Sequence, residues 1–261
     1  MGNEKYFDFG ENWVQFSEIA LTDESFDSAI TSIQTLVGIK SLENLSFLDV
    51  GCGSGLFSIA AQKLNASKVV GIDINPVCIN VSKENSERYL PDPTIKFING
   101  SALDNALLRK LGVFDVVYAW GSLHHTGSMW DAIMEVSKRV NTDGLYVFSI
   151  YNKHFTSPIW KGVKRLYNLM PSFSKQIMVS FFGVLIFIAK FLVTGRNPFK
   201  KERGMNFRFD VIDWVGGYPY EYATPKELTD YMDKLNFDLI TYIPAKVPTG
   251  CNEFVFRKRN I

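Results

Sequence analysis

The sequence predicts an α/β protein: a Rossmann-like, doubly wound, mostly parallel sheet with a C-terminal antiparallel hairpin and an inserted helical lid. Three observations carry this. Between Ser46 and Ser149, short apolar runs alternate with segments of helical period. The runs are apolar on both faces, as strands covered by helices on each side of a parallel sheet must be. The first run also leads into three alternating glycines, Gly51, Gly53 and Gly55, and then into a helical pattern. That junction is where an open α/β sheet places its ligand.

The elements follow in order. The stretch "YFDFGENWVQFSE" is dense in aromatics, and residues 1–40 are expected to form a helical cover. "SFLDV" is the first strand, and "LFSIAAQKL" spaces its apolar residues as a helix does. "KVVGIDI" is the second strand, with a helix from Pro76 to about Tyr89 whose proline suits the first turn. "TIKFING" and "FDVVYAW" are the third and fourth strands, "MWDAIMEVSKRV" a helix, and "GLYVFSIYN" the fifth strand, all joined by right-handed crossovers. Residues 153–222 are an insertion, and "ELTDYMDKLNFDLITYIPAKVPTGCNEFVFRK" reads as a helix and two closing strands. The expected organisation is a single domain, 1–261, with a cap inserted in it.

Composition bounds the function. The 261 residues are 46% hydrophobic and carry a formal net charge of +1, enough for one large domain. Basic and acidic residues are scattered in nearly equal number, so no broad field grips a phosphate backbone, and no nucleic-acid partner is expected. Cys52, Cys78 and Cys251 are widely separated. With three histidines and no clustered carboxylates, neither a metal site nor a disulfide framework is expected. A charged, aromatic N-terminus without a signal-peptide core fits a cytoplasmic location.

Glycines at the first strand's end let the backbone approach a ligand and expose amides at a helix N-terminus. A tight strand-to-helix turn uses glycine for geometry alone, so Asp73 matters more: it ends the second strand, where a carboxylate accepts hydrogen bonds from ribose hydroxyls. The succession "LDVGCGSG", "VVGIDIN" and "FDVVYAWGSLHHT" resembles the class I S-adenosylmethionine-dependent methyltransferases over roughly residues 40 to 150. The spacing is GxGxG, not the GxGxxG of dinucleotide dehydrogenases, and Asp49 sits ahead of the glycines. The resemblance implies S-adenosyl-L-methionine as cofactor and S-adenosyl-L-homocysteine as product. It also implies that Gly51, Gly53, Gly55 and Cys52 surround the amino-acid end, with Asp49 orienting the loop or the ammonium group. Asp73 would hold the ribose and Ile74 the adenine, with Ser101, Ala102 and Trp120 nearby. Many relatives have an aspartate where this chain has Ser101.

Methyl transfer needs alignment and removal of a proton. After the fourth strand the chain reads "AWGSLHHT", without the NPPY-like motif that holds an exocyclic nitrogen. A nitrogen acceptor in a nucleic-acid base is therefore not expected. His124 and His125 are candidate bases, though loop packing competes as an explanation. Tyr151 and His154 follow the fifth strand and are expected to face the acceptor. Trp13 and Phe16 are expected to wall it or to anchor the N-terminal helix.

The insertion is helical and apolar, above all in "QIMVSFFGVLIFIAKFLV". It is expected to be a lid or a homodimer contact, buried against the core or a partner, in preference to a peripheral membrane contact. The loop-like "RGMNFRFDVIDWVGGYPYEYATPKEL" supplies Arg203, Arg208 and Tyr218 for an anionic acceptor, or Arg203 and Asp213 as a buried pair. With "YNKHF" and "GCNEFVF" it resembles a UbiG-like subgroup of small-molecule O-methyltransferases, some of them in glycan and capsule tailoring. A membrane-associated quinol methyltransferase and a non-catalytic cofactor-binding scaffold are the alternatives.

Overall fold

The computed structural model describes residues 7–195 and 207–260. Two helices, α1 (Phe9–Ile19) and α2 (Asp23–Val37), precede β1 (Ser46–Val50), α3 (Leu56–Lys63), β2 (Lys68–Asp73) and α4 (Pro76–Tyr89). Then come β3 (Lys96–Asn99), α5 (Asn105–Leu111), β4 (Phe114–Ala119), a short 3-10 turn at Leu123–His125, α6 (Met129–Ser137) and β5 (Val140–Asn152). The insertion holds α7 (Ser157–Leu169), α8 (Ser172–Thr194) and α9 (Phe207–Gly216). The chain closes with β6 (Tyr222–Ala223), α10 (Pro225–Lys234), β7 (Phe237–Ile243) and β8 (Cys251–Lys258).

The strands form one sheet in the order β3-β2-β1-β4-β5-β8-β7, with β6 pairing beside β5. The pairs β1–β2, β2–β3, β1–β4 and β4–β5 are parallel; β8 lies antiparallel to β5 and to β7. Side chains alternate across the sheet. Val50, Ile72, Val117, Phe148 and Phe254 pack under α5, α6 and α10, while Phe47, Val69, Val116, Tyr118 and Val255 pack under α2 and α3. The expected doubly wound sheet and its antiparallel hairpin are both present. The order reverses between β1 and β4, so the ends of these two strands open into one crevice.

Local chemistry sets the boundaries. In α2, Phe26, Ala29, Ile33 and Leu36 recur at helical spacing, Thr22 and Ser25 form a capping box, and Gly38 closes the helix in the left-handed conformation. Pro76 takes the first turn of α4 behind the capping Asn75. Two elements depart from expectation. The α5 helix, capped by Asp104, occupies a stretch to which no element was assigned. The segment read as a charged loop is the helix α9, stabilised because Phe209, Val211 and Val215 are buried.

The described part of the insertion is mainly helical. The apolar run, expected to be buried against the core or a partner, is covered by this chain on one side only: α7 and α9 pack on α8 through Met178, Val179, Phe182 and Ile186, and the other side is exposed.

Candidate active site

A cavity of about 1590 Å³ occupies the crevice, between the glycine turn on one side and α1, α7 and α9 on the other. The turn after β1 is held open by its glycines, which sit at φ 76°, 55° and 79° for Gly51, Gly53 and Gly55. A Cβ on Gly53 would lie 2.8 Å from Cε2 of Trp13, and one on Gly51 would strike Ser122. The amides of Gly51 and Cys52 both donate to Ile72 O, at 2.8 and 3.0 Å, and Ser122 Oγ donates to Val50 O at 2.6 Å. Asp49 accepts from Ser58 Oγ at 2.7 Å, which ties β1 to α3. Burial pushes its carboxyl up to about 7, against the opposing effect of that bond.

Asp73 is half-buried at the end of β2, and its two oxygens accept from Gly53 N at 3.0 Å and Asn75 N at 2.8 Å. Burial raises its pKa, partly offset by these bonds. Asp73 lines the cavity, and a carboxylate with two backbone donors has lone pairs to spare. Ile74 is 72% exposed at the cavity wall. Cys52, Ser101, Ala102 and Trp120 also line it.

Trp13 lines the cavity on its glycine side, where it covers Gly53 and meets Phe16 edge-on. Phe16 is fully buried, which is the anchoring alternative. Asn75, which sequence reasoning missed, fixes α1 there. Its Nδ2 donates to Asp8 Oδ1 at 2.9 Å, Asp8 also accepts from Gly10 N, and Asn75 Oδ1 accepts from Val77 N. The "NP" pair at the head of α4 was the available signal.

Opposite the glycines, His124, His125, Tyr151, His154 and Tyr218 all line the cavity. Nδ1 of His124 lies 3.1 Å from Ser149 O, and Nδ1 of His125 lies 2.6 Å from Pro219 O. A carbonyl only accepts, so each Nδ1 carries the hydrogen and each Nε2 keeps its lone pair. His124 is 1% exposed and further tied by Glu221 N to its carbonyl, whereas His125 is half-buried between Phe9 and Tyr151. Burial holds both imidazoles neutral, His124 well below the ordinary value and His125 down to about 3, with the charge of Lys164 adding to the effect on His125. Burial drives the Tyr151 hydroxyl well above its ordinary value, so at neutral pH it is a donor and not a base. His154 Nδ1 is engaged by Thr156 Oγ1 at 2.8 Å. Arg203, and the side chain of Arg208, lie outside the described residues.

Above this wall sits a polar cluster that sequence reasoning missed. Lys164 of α7 is 1% exposed, donates to Asp213 O at 3.4 Å and to Trp214 O, and lies over the rings of Tyr151 and Tyr220. Burial pushes its ammonium down to about 7. Asp213 accepts from Asn12 Nδ2 at 2.7 Å; enclosure within the lid, aided by Asp210, pushes its carboxyl up to about 8. The expected pair of Asp213 with Arg203 lies outside the described residues; the described partner of the Asp213 carboxylate is Asn12 of α1. The signal for Lys164 was its spacing with Tyr167 and Asn168 on the buried face of α7. Among the described residues no cluster of histidine, cysteine and carboxylate suits a metal ion.

Comparison with known proteins matches these observations. The family model described as ribosomal protein L11 methyltransferase (PrmA) matches residues 28–149, from α2 into β5, and leaves the lid outside. A protein of Methanocaldococcus jannaschii named as a protein N5-glutamine methyltransferase is 35% identical over 100 residues, 38% of this chain and 48% of that protein. A ribosomal protein L11 methyltransferase of an Enterobacter species is 48% identical over 56 residues, 22% of this chain and 19% of its own. The chain therefore spans about half the length, or less, of the curated relatives it matches. Among solved structures, magnesium protoporphyrin IX methyltransferase (ChlM) from Synechocystis PCC 6803 with bound SAH aligns at TM-score 0.55 and 13% identity, over 90% of this chain and 82% of that one. PKMT2 from Rickettsia typhi in complex with AdoHcy aligns at TM-score 0.59 and 15% identity, over 91% and 54%. With its sheet order, glycine turn and these neighbours, the chain has the fold of the class I S-adenosylmethionine-dependent methyltransferases.

Proposed function

We propose that the protein is an S-adenosylmethionine-dependent methyltransferase that methylates an oxygen of a small molecule with an apolar body. The carrying observation is the cavity that joins the glycine turn to the neutral His125 beneath an aromatic lid. The residues fit the cofactor: a Cβ would fill the cradle at Gly51 and Gly53, Asp73 offers lone pairs to ribose hydroxyls, and exposed Ile74 offers a flat contact to adenine. When bound, the cofactor supplies an electrophilic methyl group on a sulfonium. The chain's own residues orient the acceptor and take its proton: Phe9, Tyr151, Trp160 and Trp214 wall the chamber, and Nε2 of His125 accepts from the acceptor hydroxyl.

The lining argues against an anionic acceptor such as a sugar nucleotide or a phosphate group of a glycan or capsule precursor. Its described residues include Glu24, Asp27, Asp73, Asp210 and Glu253, besides Asp49 and Asp213, whose carboxyls burial pushes up to about 7 and about 8, and Lys246 is the single lysine or arginine among them. A neutral or cationic molecule suits this field better. A protein side-chain nitrogen is the second reading, favoured by the names of the curated relatives. Against it stand the absence of an NPPY-like motif after β4 and a lid over the chamber.

Incubation with S-adenosylmethionine labelled in its methyl group tests both readings. Label should pass to phenolic or alicyclic hydroxyl compounds and not to ribosomal protein L11 or glutamine-containing peptides. Transfer to protein alone would overturn the small-molecule reading, and failure to bind S-adenosylhomocysteine in calorimetry would overturn the enzyme reading itself.

A further inference from the structure

The outward side of α8 is unlike any other surface of the described chain. Ile177, Phe181, Val184, Leu185, Ile188 and Leu192 are all between 47% and 75% exposed. Their spacing of four, three, one, three and four residues confines them to one stripe of the helix, roughly 100° wide. The window Ser172–Ala189 has mean hydropathy 1.7 and none of it is buried, whereas a core helix of that composition is mostly buried. The helix contains no carboxylate over its 23 residues.

Charge is segregated around it. Residues 157–195, which hold α7 and α8, carry five lysines and arginines and no carboxylate, while the rest of the chain holds twenty-three and twenty-seven. One of the five, Lys164, is buried; Lys161 and Arg165 are exposed on the neighbouring helix. A chain with near-zero net charge thus carries a strongly cationic segment whose centre is an apolar stripe.

We propose that α8 docks on an anionic lipid bilayer, lying in the plane of the interface with this stripe turned into the acyl boundary. Membrane-surface helices combine these features, an apolar face flanked by lysine and arginine that meet anionic headgroups. At 1.5 Å per residue the helix is about 34 Å long, enough to cross a bilayer. Crossing is excluded by its packing, because α7 and α9 hold its other side through Met178, Val179, Phe182 and Ile186. A second copy of the chain is the rival occupant, but a two-fold contact through α8 would bring two cationic segments together. The helix also contributes Ile186 and Ala189 to the cavity wall, so the docked element borders the chamber. The proposal does not depend on the identity of the acceptor.

Co-sedimentation of the full chain with vesicles of phosphatidylcholine, alone or mixed with phosphatidylglycerol, tests this. The chain should bind the anionic vesicles, bind neutral ones more weakly, and be released by salt. The combined substitutions Ile177→Glu, Phe181→Glu and Ile188→Glu should lower the bound fraction by roughly an order of magnitude or more. Their circular dichroism and thermal melt should stay those of the parent; if not, Phe181→Ser with Ile188→Ser is the milder pair, with the same expected direction. A parent that binds neither vesicle overturns the proposal. So does a parent dimer, seen by sedimentation, that the same substitutions dissociate while vesicle binding persists.

Discussion

Nδ1 of His125 lies 2.6 Å from the carbonyl oxygen of Pro219, so the turn that follows α9 sets the tautomer of the histidine facing the cavity. With the hydrogen held on Nδ1, Nε2 is a permanent acceptor. Burial and the nearby Lys164 keep it unprotonated down to about pH 3. The usual signature of a histidine base, a rate rising through pH 6 to 7, is therefore not expected of this site.

The first prediction follows from that pairing. His125→Ala should lower kcat on the order of a hundredfold, the low end for a general base, because so depressed a pKa weakens the driving force for proton transfer. Affinity for S-adenosylhomocysteine should stay within a few-fold, and the parent's kcat should be flat through pH 6.5, the ordinary histidine value. A sigmoid centred there, lost in the alanine variant, would show that the imidazole titrates normally and that this account of its burial is wrong.

Much of the site was legible because strand ends are. The run "FLDVGCGSG" places Gly51 to Gly55 by strand period and glycine spacing alone, and Asp73 and the two histidines follow from the same rule at β2 and β4. What was hidden depends on contacts far apart in sequence. Asn12 meets Asp213 across 201 residues, and Asn75 meets Asp8 across 67. Neither pairing has a local pattern. The α9 helix was misread because its charged residues suggested a loop, while burial of Phe209 and Val215 supplied the stabilisation that local composition did not.

A second prediction concerns stability. Asp213 has a folded pKa near 8, above its ordinary 3.8, so its contribution is fully present below 3.8 and is lost as pH rises through 8. Asp213→Asn keeps an acceptor for Asn12 Nδ2 and cannot ionise. The variant should gain in melting temperature relative to the parent as pH is raised between those values. Differential scanning fluorimetry of the two proteins side by side checks it; a difference that shrinks or stays constant with pH would remove the assignment.

A third prediction tests the buried lysine. Lys164→Met should destabilise the fold by about 1–3 kcal/mol, because the carbonyls of Asp213 and Trp214 lose their donor inside the lid. The burden falls on the lid and not on the sheet, so proteolysis should cut between α7 and α9 before it cuts the core. Equal protease resistance in parent and variant would mean that the ammonium contributes nothing to holding the lid.

Asp73→Ala should weaken S-adenosylhomocysteine binding by roughly ten- to a hundredfold, as expected for lost hydrogen bonds to a carboxylate worth about 1.5–3 kcal/mol. Part of that loss is indirect, since Asp73 also receives the amide of Gly53 and orders the turn. Asp73→Asn keeps an acceptor oxygen without the charge and should fall between parent and alanine. Calorimetry that ranks asparagine with the parent would assign the residue to ordering the loop alone.

The final prediction separates space from backbone at Gly53. Its φ of 55° is disfavoured for any residue with a Cβ, by about 1–2 kcal/mol, and that Cβ would also press on Trp13 at 2.8 Å. Gly53→Ala should therefore weaken S-adenosylhomocysteine binding through two effects at once, strain in the turn and displacement of the α1 cover. Trp13→Ala removes the second and leaves the first. In a double-mutant cycle the two changes should be less than additive, with the double variant still weaker than Trp13→Ala alone by the backbone cost. Strict additivity would mean that Trp13 does not press on the turn in solution, and that α1 stands away from the glycines when the cofactor binds.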